Sequence, residues 1–506
     1  MDLSRRSLVG SLALAAGALA APPAFELEEA TIADLQARIK AGSLTARALT
    51  QRYLERIEAI DKRGPAINAV IELNPDALAI ATGLDAERKA RGARGPLHGM
   101  PVLIKDNIDT ADKMMTTAGS LALAGNIAAR DSGVAARLRA AGAVILGKTN
   151  LSEWANYRSS HSTSGWSGRG GLTRNPYGLE RNACGSSSGS GAAVSANLCA
   201  LAIGTETDGS IVCPSSVNGV VGIKPTLGLI PGNGIIPIAH SQDTAGPMAR
   251  TVTDAAILLG ALTGNDYTAS LNTGGLRGAR IGVARDRFFG FQEETDRLIQ
   301  AALDEMKRRG AEIIDPADIP TMGKFDDSES VVLSYEFKHD LNLYLGALGP
   351  KVPVHSLAEV IAFNEAHRSQ EMPYFGQDIM IKAETRGPLT SKEYLDALEK
   401  DHQLARAQGI DAVMDKFRLD ALVAPTAGPA WCTDLINGDH APGGSSTPAA
   451  VAGYPNITVP AGFVSGLPIG ISFFGRANSE PALIRLAYAF EQATRFRRPP
   501  QFREKV

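Results

Sequence analysis

The chain has 506 residues, with 51 lysines and arginines against 54 aspartates and glutamates and a formal charge of −3, so no basic excess exists to neutralise a phosphate backbone and no nucleic-acid partner is expected. Apolar residues at 44% and charged residues at 21% exclude a disordered, collagen-like or coiled-coil chain and describe one able to bury a large core. Glycine is abundant at 52 residues, and sixteen of them fall between His161 and Arg250, which marks that stretch as the one needing backbone freedom.

In chain order, Arg5-Arg6 precede an Ala-rich apolar run that ends at Ala18-Leu19-Ala20-Ala21 and is followed by Pro22-Pro23. A charged start, a short apolar stretch and an A-x-A site read as a secretory signal over 1–21, and the arginine pair points to the twin-arginine route. The apolar run is too short for about 30 Å of hydrocarbon, so no stable membrane insertion is expected. The expectation is an exported, periplasmic protein whose remaining residues, 22–506, form one domain.

Helical periodicity is expected over 32–39 and over 44–60, where Leu49, Tyr53, Ile57 and Ile60 share a face and Ser43 is a candidate N-cap. Apolar runs at 69–73, 101–104 and 144–147 read as strands, with a helix over 133–141 between the last two. A small-residue helix over 191–197 precedes strands at 200–203 and 220–223. Near the C-terminus, strands at 457–459 and 470–474 lead into a helix over 481–493. Such alternation predicts an α/β fold with a central, mostly buried sheet and helices on both faces. The segment 320–418 is richer in charge and mostly helical by pattern, and no linker sets it apart, so it is expected as a helical excursion packed on the sheet. The four cysteines, Cys184, Cys199, Cys213 and Cys432, show no metal-ligand spacing and read as buried free thiols, with a Cys184–Cys213 bridge as the alternative.

Three segments carry chemistry. In Met100-Pro101-Val102-Leu103-Ile104-Lys105, a lysine ends an apolar strand. Burial there would disfavour its charged form and leave a neutral amine to act as a base, with Asp106 directed to the opposite face. The run Cys184-Gly185-Ser186-Ser187-Ser188-Gly189-Ser190-Gly191 opens a helix with N–H groups and hydroxyls suited to an oxyanion. The turn Gly204-Thr205-Glu206-Thr207-Asp208-Gly209-Ser210 leaves a strand with successive N–H groups, from Thr207 to Ser210, placed to converge on one oxygen. The glycine spacing of Gly185-Ser186-Ser187-Ser188-Gly189 also fits a nucleophile elbow centred on Ser187. That reading needs a downstream acid and one of His339, His355, His367, His402 or His440. No H-E-x-x-H is present.

The order Lys105, Ser186, Ser210, together with Gly147-Lys148-Thr149-Asn150, Gly222-Ile223-Lys224-Pro225-Thr226 and Asp243-Thr244-Ala245-Gly246-Pro247, resembles the amidase signature family over nearly the whole chain. The resemblance implies its fold, a central mixed twisted sheet covered by helices, and a Ser–cis-Ser–Lys triad in which Ser210 is the nucleophile, Ser186 the bridging serine and Lys105 the base. It also implies an oxyanion hole of Thr207, Asp208, Gly209 and Ser210, with no metal or cofactor. Cys184-Gly185 and Asp208-Gly209-Ser210 stand where many members have Gly-Gly and Gly-Gly-Ser, and these variants are similar to the bacterial peptide amidase branch, whose substrates are C-terminally amidated peptides. Other amides, or the amidase component of a tRNA-dependent amidotransferase, are the alternatives within the family. Trp154 and Trp431 are candidates for lining a substrate pocket.

Overall fold

The computed structural model describes residues 27–506, so the signal read over 1–21 lies outside the described residues. Eleven strands form one mixed sheet. From one edge to the other they are Val70–Leu73, Val144–Thr149, Pro101–Lys105, Leu201–Glu206, Thr244–Ala249, Val221–Lys224, Asn456–Val464, Leu467–Phe474, Ala421–Pro425, Arg280–Val283 and Glu312–Ile314.

Pro101–Lys105 runs parallel to both of its neighbours, and all three strands are buried at every position. Their near-continuous apolar runs are what a strand covered on both faces requires. They end at Lys105, Thr149 and Glu206, so the loops that follow leave from the same edge of the sheet, where α/β proteins hold ligands. Helices flank the sheet. Ser188–Ser195, buried throughout, lies against the three parallel strands, and Glu480–Thr494 packs on Asn456–Val464. Gly189 allows the first of these to approach: a Cβ there would sit 2.3 Å from the Ala69 carbonyl oxygen and 2.4 Å from that of Asn150.

The expected elements appear with shifted ends, and one N-cap differs. Helix 44–60 divides into Ala46–Arg56 and a π-helical turn, Ile57–Lys62, and its cap is Thr45, whose hydroxyl accepts the Ala48 N–H at 3.0 Å. Ser43 instead donates its hydroxyl to the Arg38 carbonyl and so serves the end of the preceding helix, Ile32–Lys40. The cysteine expectation is also corrected. Cys184 and Cys213 form a disulfide, Cys199 is a buried thiol and Cys432 is exposed. The bridge forms because both residues flank segments that the sheet edge brings together, a proximity composition does not reveal.

Residues 320–418 are mostly helical, with Asp326–Gly346 the longest element, followed by Leu357–Ala366, Asp378–Glu384 and Lys392–His402. Phe337, Leu341, Leu357 and Met380 build an apolar cluster that also takes in Ala118 and Trp154, so the excursion covers the loops leaving the carboxyl ends of the parallel strands. Among the described residues, no helix is long and apolar enough to cross a membrane.

Candidate active site

Lys105 is fully buried at the end of its strand. Its Nζ lies 2.7 Å from Ser186 Oγ, 2.8 Å from Thr205 Oγ1 and 3.3 Å from the Thr205 carbonyl oxygen. Burial pushes its pKa down to about 7, against the opposing pull of the Asp243 and Glu206 carboxylates. Asp106 does not contribute to that pull. Its carboxylate accepts the Thr117 hydroxyl and the Gly119 N–H and faces Arg169 at 3.5 Å, on the other side of the strand.

The Gly185–Ser186 peptide bond is cis. The Ser186 carbonyl accepts the Ser152 N–H at 3.0 Å, and a Cβ at Gly185 would lie 2.2 Å from Ser152 Oγ, so only glycine fits there. The serines that follow are engaged in the packing of the helix. Ser187 Oγ donates to the Thr205 carbonyl at 3.0 Å and accepts the Thr205 N–H at 3.1 Å, and Ser190 Oγ donates to the Ile203 carbonyl at 2.9 Å. Ser187 therefore does not fit the elbow reading: its hydroxyl is committed to backbone and completely buried. Three of the five histidines that reading called on are occupied elsewhere, His339 on Asp340, His355 on the Leu345 carbonyl and His367 on the Phe363 carbonyl.

Ser210 keeps 7% of its surface exposed and is joined to the first segment by a hydrogen bond from the Ser187 N–H to its carbonyl, 3.2 Å. Glu206 shapes its turn by accepting the N–H groups of Ile211 and Val212 at 2.7 and 3.0 Å. Gly209 adopts φ +80°, a left-handed conformation that a side chain would strain, and a Cβ there would come 3.0 Å from Ser446 Oγ. Among the described residues, none of the N–H groups of Thr207, Asp208, Gly209 and Ser210 donates to another protein group. Thr207 is held by its hydroxyl on Asp243, 2.6 Å, and Asp243 also accepts the Ile238 and Ala239 N–H groups.

The structure thus brings Lys105, Ser186, Ser210 and the turn 207–210 to one place. Trp154 and Trp431 are both buried. Trp154 joins the cluster that also holds Tyr157 and Phe337, and Trp431 packs beside Cys184 and Tyr177 with its indole N–H on Asp439 at 3.2 Å. A cavity of about 260 Å³ opens beside the turn, lined by Asp208 together with Tyr157, Glu329, Leu333, Ile379 and Lys382. Sequence reasoning missed Thr205, Glu206 and Asp243. The first two were visible inside the quoted turn as polar residues at a strand end, and Asp243 as the acid that begins another quoted motif. The cavity residues of the helical excursion carried no such signal.

A family model for amidases matches residues 48–484. The chain belongs to the amidase signature family. A probable amidase of Arabidopsis thaliana is 44% identical, with 94% of this chain and 92% of that protein covered. A glutamyl-tRNA(Gln) amidotransferase chain of a Synechococcus is 34% identical over 90% of this chain and 91% of its own. Among solved structures, native peptide amidase from Stenotrophomonas maltophilia superposes with a TM-score of 0.90 at 51% identity, covering 94% of this chain and 99% of that one. A complex of the peptide amidase with the competitive inhibitor chymostatin gives 0.91 at the same identity and 94% coverage of this chain. This amidase is accordingly a hydrolase of amides, built on the mixed sheet and flanking helices of those structures.

Proposed function

We propose that this amidase removes the C-terminal amide of peptides as ammonia, through an acyl-serine formed on Ser210. The observation that carries the reading is the 2.7 Å contact between a fully buried lysine amine and Ser186 Oγ, with the amine brought near neutrality by burial. Neutral Lys105 takes the Ser186 proton while Ser186 takes the proton of Ser210, whose Oγ bonds to the amide carbon. The carbonyl π electrons move onto oxygen, and the N–H groups of Thr207, Asp208, Gly209 and Ser210 hold the resulting oxyanion. Collapse breaks the carbon–nitrogen bond, and the proton returns through Ser186 to the departing nitrogen, which leaves as ammonia. Water then attacks the acyl-serine by the same relay, yields the carboxylate product and restores Ser210. This chemistry uses protons and fixed dipoles alone, and no metal or cofactor has a step in it.

Peptide amides are favoured over other amides by the 51% identity to a peptide amidase across 94% of the chain. Trp154, packed in one cluster with Tyr157, and Trp431, packed beside Cys184, would line the acyl pocket. Export to the periplasm by the twin-arginine route is part of the reading, supported by Arg5-Arg6 before the apolar run and by a disulfide, which persists in an oxidising compartment. The amidotransferase alternative, represented by relatives at 34% identity, belongs to a different setting.

Purified protein incubated with C-terminally amidated dipeptides should release ammonia. Faster turnover of fatty acid amides or free amino acid amides would overturn the substrate assignment.

A further inference from the structure

The cavity beside the oxyanion turn carries three carboxyl groups, Asp208, Asp326 and Glu329, against one amino group, Lys382. Asp326 reaches outward to Arg287 at 3.8 Å, with both side chains more than half exposed. Asp208 and Glu329 differ from it in making no salt bridge among the described residues; the charge of the buried Lys224 acts on Asp208, and no cation is shown acting on Glu329. Glu329 is only 9% exposed and commits Oε1 to the Gln242 amide at 3.0 Å. Asp208 lines the cavity and keeps Oδ1 without a hydrogen-bond partner, while the Ser446 and Thr447 hydroxyls hold its carboxyl group from other sides. Burial raises both carboxyls above their ordinary range, and for Glu329 the charge of Asp208 adds to the effect. Two carboxyl groups that burden each other in a cavity, with an oxygen left unpaired, are matched by a cation that enters with the ligand. Gln242 joins this wall to the reacting centre, since its amide also donates to the Thr207 carbonyl at 3.3 Å.

We propose that this cavity is a subsite for a positively charged group on the acyl side of the substrate, an ammonium or guanidinium held between Asp208 and Glu329. Asp208 stands two residues before Ser210, so the cation would lie near the scissile carbonyl. Tyr157, Leu333 and Ile379 offer apolar surface to the stem that carries it. The inference rests on the peptide-amide reading above and names which peptide amides are preferred.

The test is kcat/KM for N-acetylated dipeptide amides that end in lysine, norleucine or glutamate, with the free-amine norleucine peptide as a fourth substrate. A side-chain cation predicts lysine at least tenfold above norleucine, with glutamate lowest. An α-ammonium predicts the free-amine peptide at least tenfold above its acetylated form. In Glu329→Gln and in Asp208→Asn the favoured ratio should fall toward one. Equal rates for charged and neutral peptides in the unaltered protein would overturn the subsite, as would a preference that survives in both variants. If either variant fails to fold, the ranking in the unaltered protein decides. Absence of ammonia from all four peptides would instead count against the peptide-amide reading itself.

Discussion

Glu206 Oε2 accepts the Ile211 N–H at 2.7 Å, so the carboxylate that ends a buried strand also closes the turn around Ser210 from beneath. The same group faces Lys224, whose pKa burial pushes down to about 8 against the pull of Glu206. Glu206→Ala should lower kcat by about tenfold to a hundredfold with little change in KM, because the turn loses two charge-assisted hydrogen bonds and its N–H groups lose their aim. It should also lower stability, since the buried Lys224 loses the largest of the carboxylate charges that act on it and keeps only those of Glu480 and Asp208. Glu206→Gln keeps an acceptor and should recover most of kcat. Steady-state kinetics and denaturant melts of the two variants check this, and equal kcat in both would exclude the aiming role.

With Lys105 brought down to about 7, kcat/KM should rise with pH through that region, as the ammonium that cannot accept a proton gives way to the amine that can. Asp243, pushed up to about 6 by burial, should steepen the acid limb, because its protonation weakens the acceptor that holds the Thr207 hydroxyl. Lys105→Arg keeps the charge and cannot surrender its proton, so its activity should fall by on the order of 10²–10⁴. A flat pH profile together with an active Lys105→Arg variant would remove the lysine base.

Ser210→Ala should abolish labelling by a serine-directed sulfonyl fluoride, read by intact-protein mass spectrometry, and lower turnover by on the order of 10⁴ or more. Ser186→Ala should retain a measurable residue of activity, since a water molecule is able to fill the space and carry the proton between Lys105 and Ser210. Unchanged activity in either variant takes that serine out of the relay.

Trp154→Ala should cost about 3–5 kcal/mol, the usual penalty for emptying a buried aromatic site, and the loss should fall on the cluster shared with Phe337 and Leu341. Trp431→Phe should cost only about 1 kcal/mol for the hydrogen bond to Asp439. A raised KM for peptide amides with the melting point held would place either ring at the substrate; a lowered melting point with KM unaltered places it in the core.

Local pattern made the places of two residues readable, Lys105 after four apolar residues at a strand end and Ser210 at the end of a polar turn after a strand. Their proposed roles came from the order of the three segments and the family resemblance, since either feature by itself also fits an ordinary strand end or turn. The strand Ala421–Pro425 was not readable, because a five-residue run buried at every position has no alternation to separate it from a fragment of helix. Disulfide pairing required knowing that two segments meet at one sheet edge. The cavity wall is harder still: Gln242 meets Glu329 across 87 positions, and Glu329 lies on a helix whose charges look like those of any solvated face.

The Cys184–Cys213 bridge spans 29 positions, and both Ser186 and Ser210 fall inside that span. Both serines are therefore carried on one covalent ring, which includes the helix Ser188–Ser195 and the strand Leu201–Glu206. In the unfolded chain a closure of this size removes conformational freedom equivalent to about 3–4 kcal/mol. The two serines of the proposed relay can never drift farther apart than the ring permits, whatever the rest of the molecule does. Only Lys105 has to be delivered by folding from outside it.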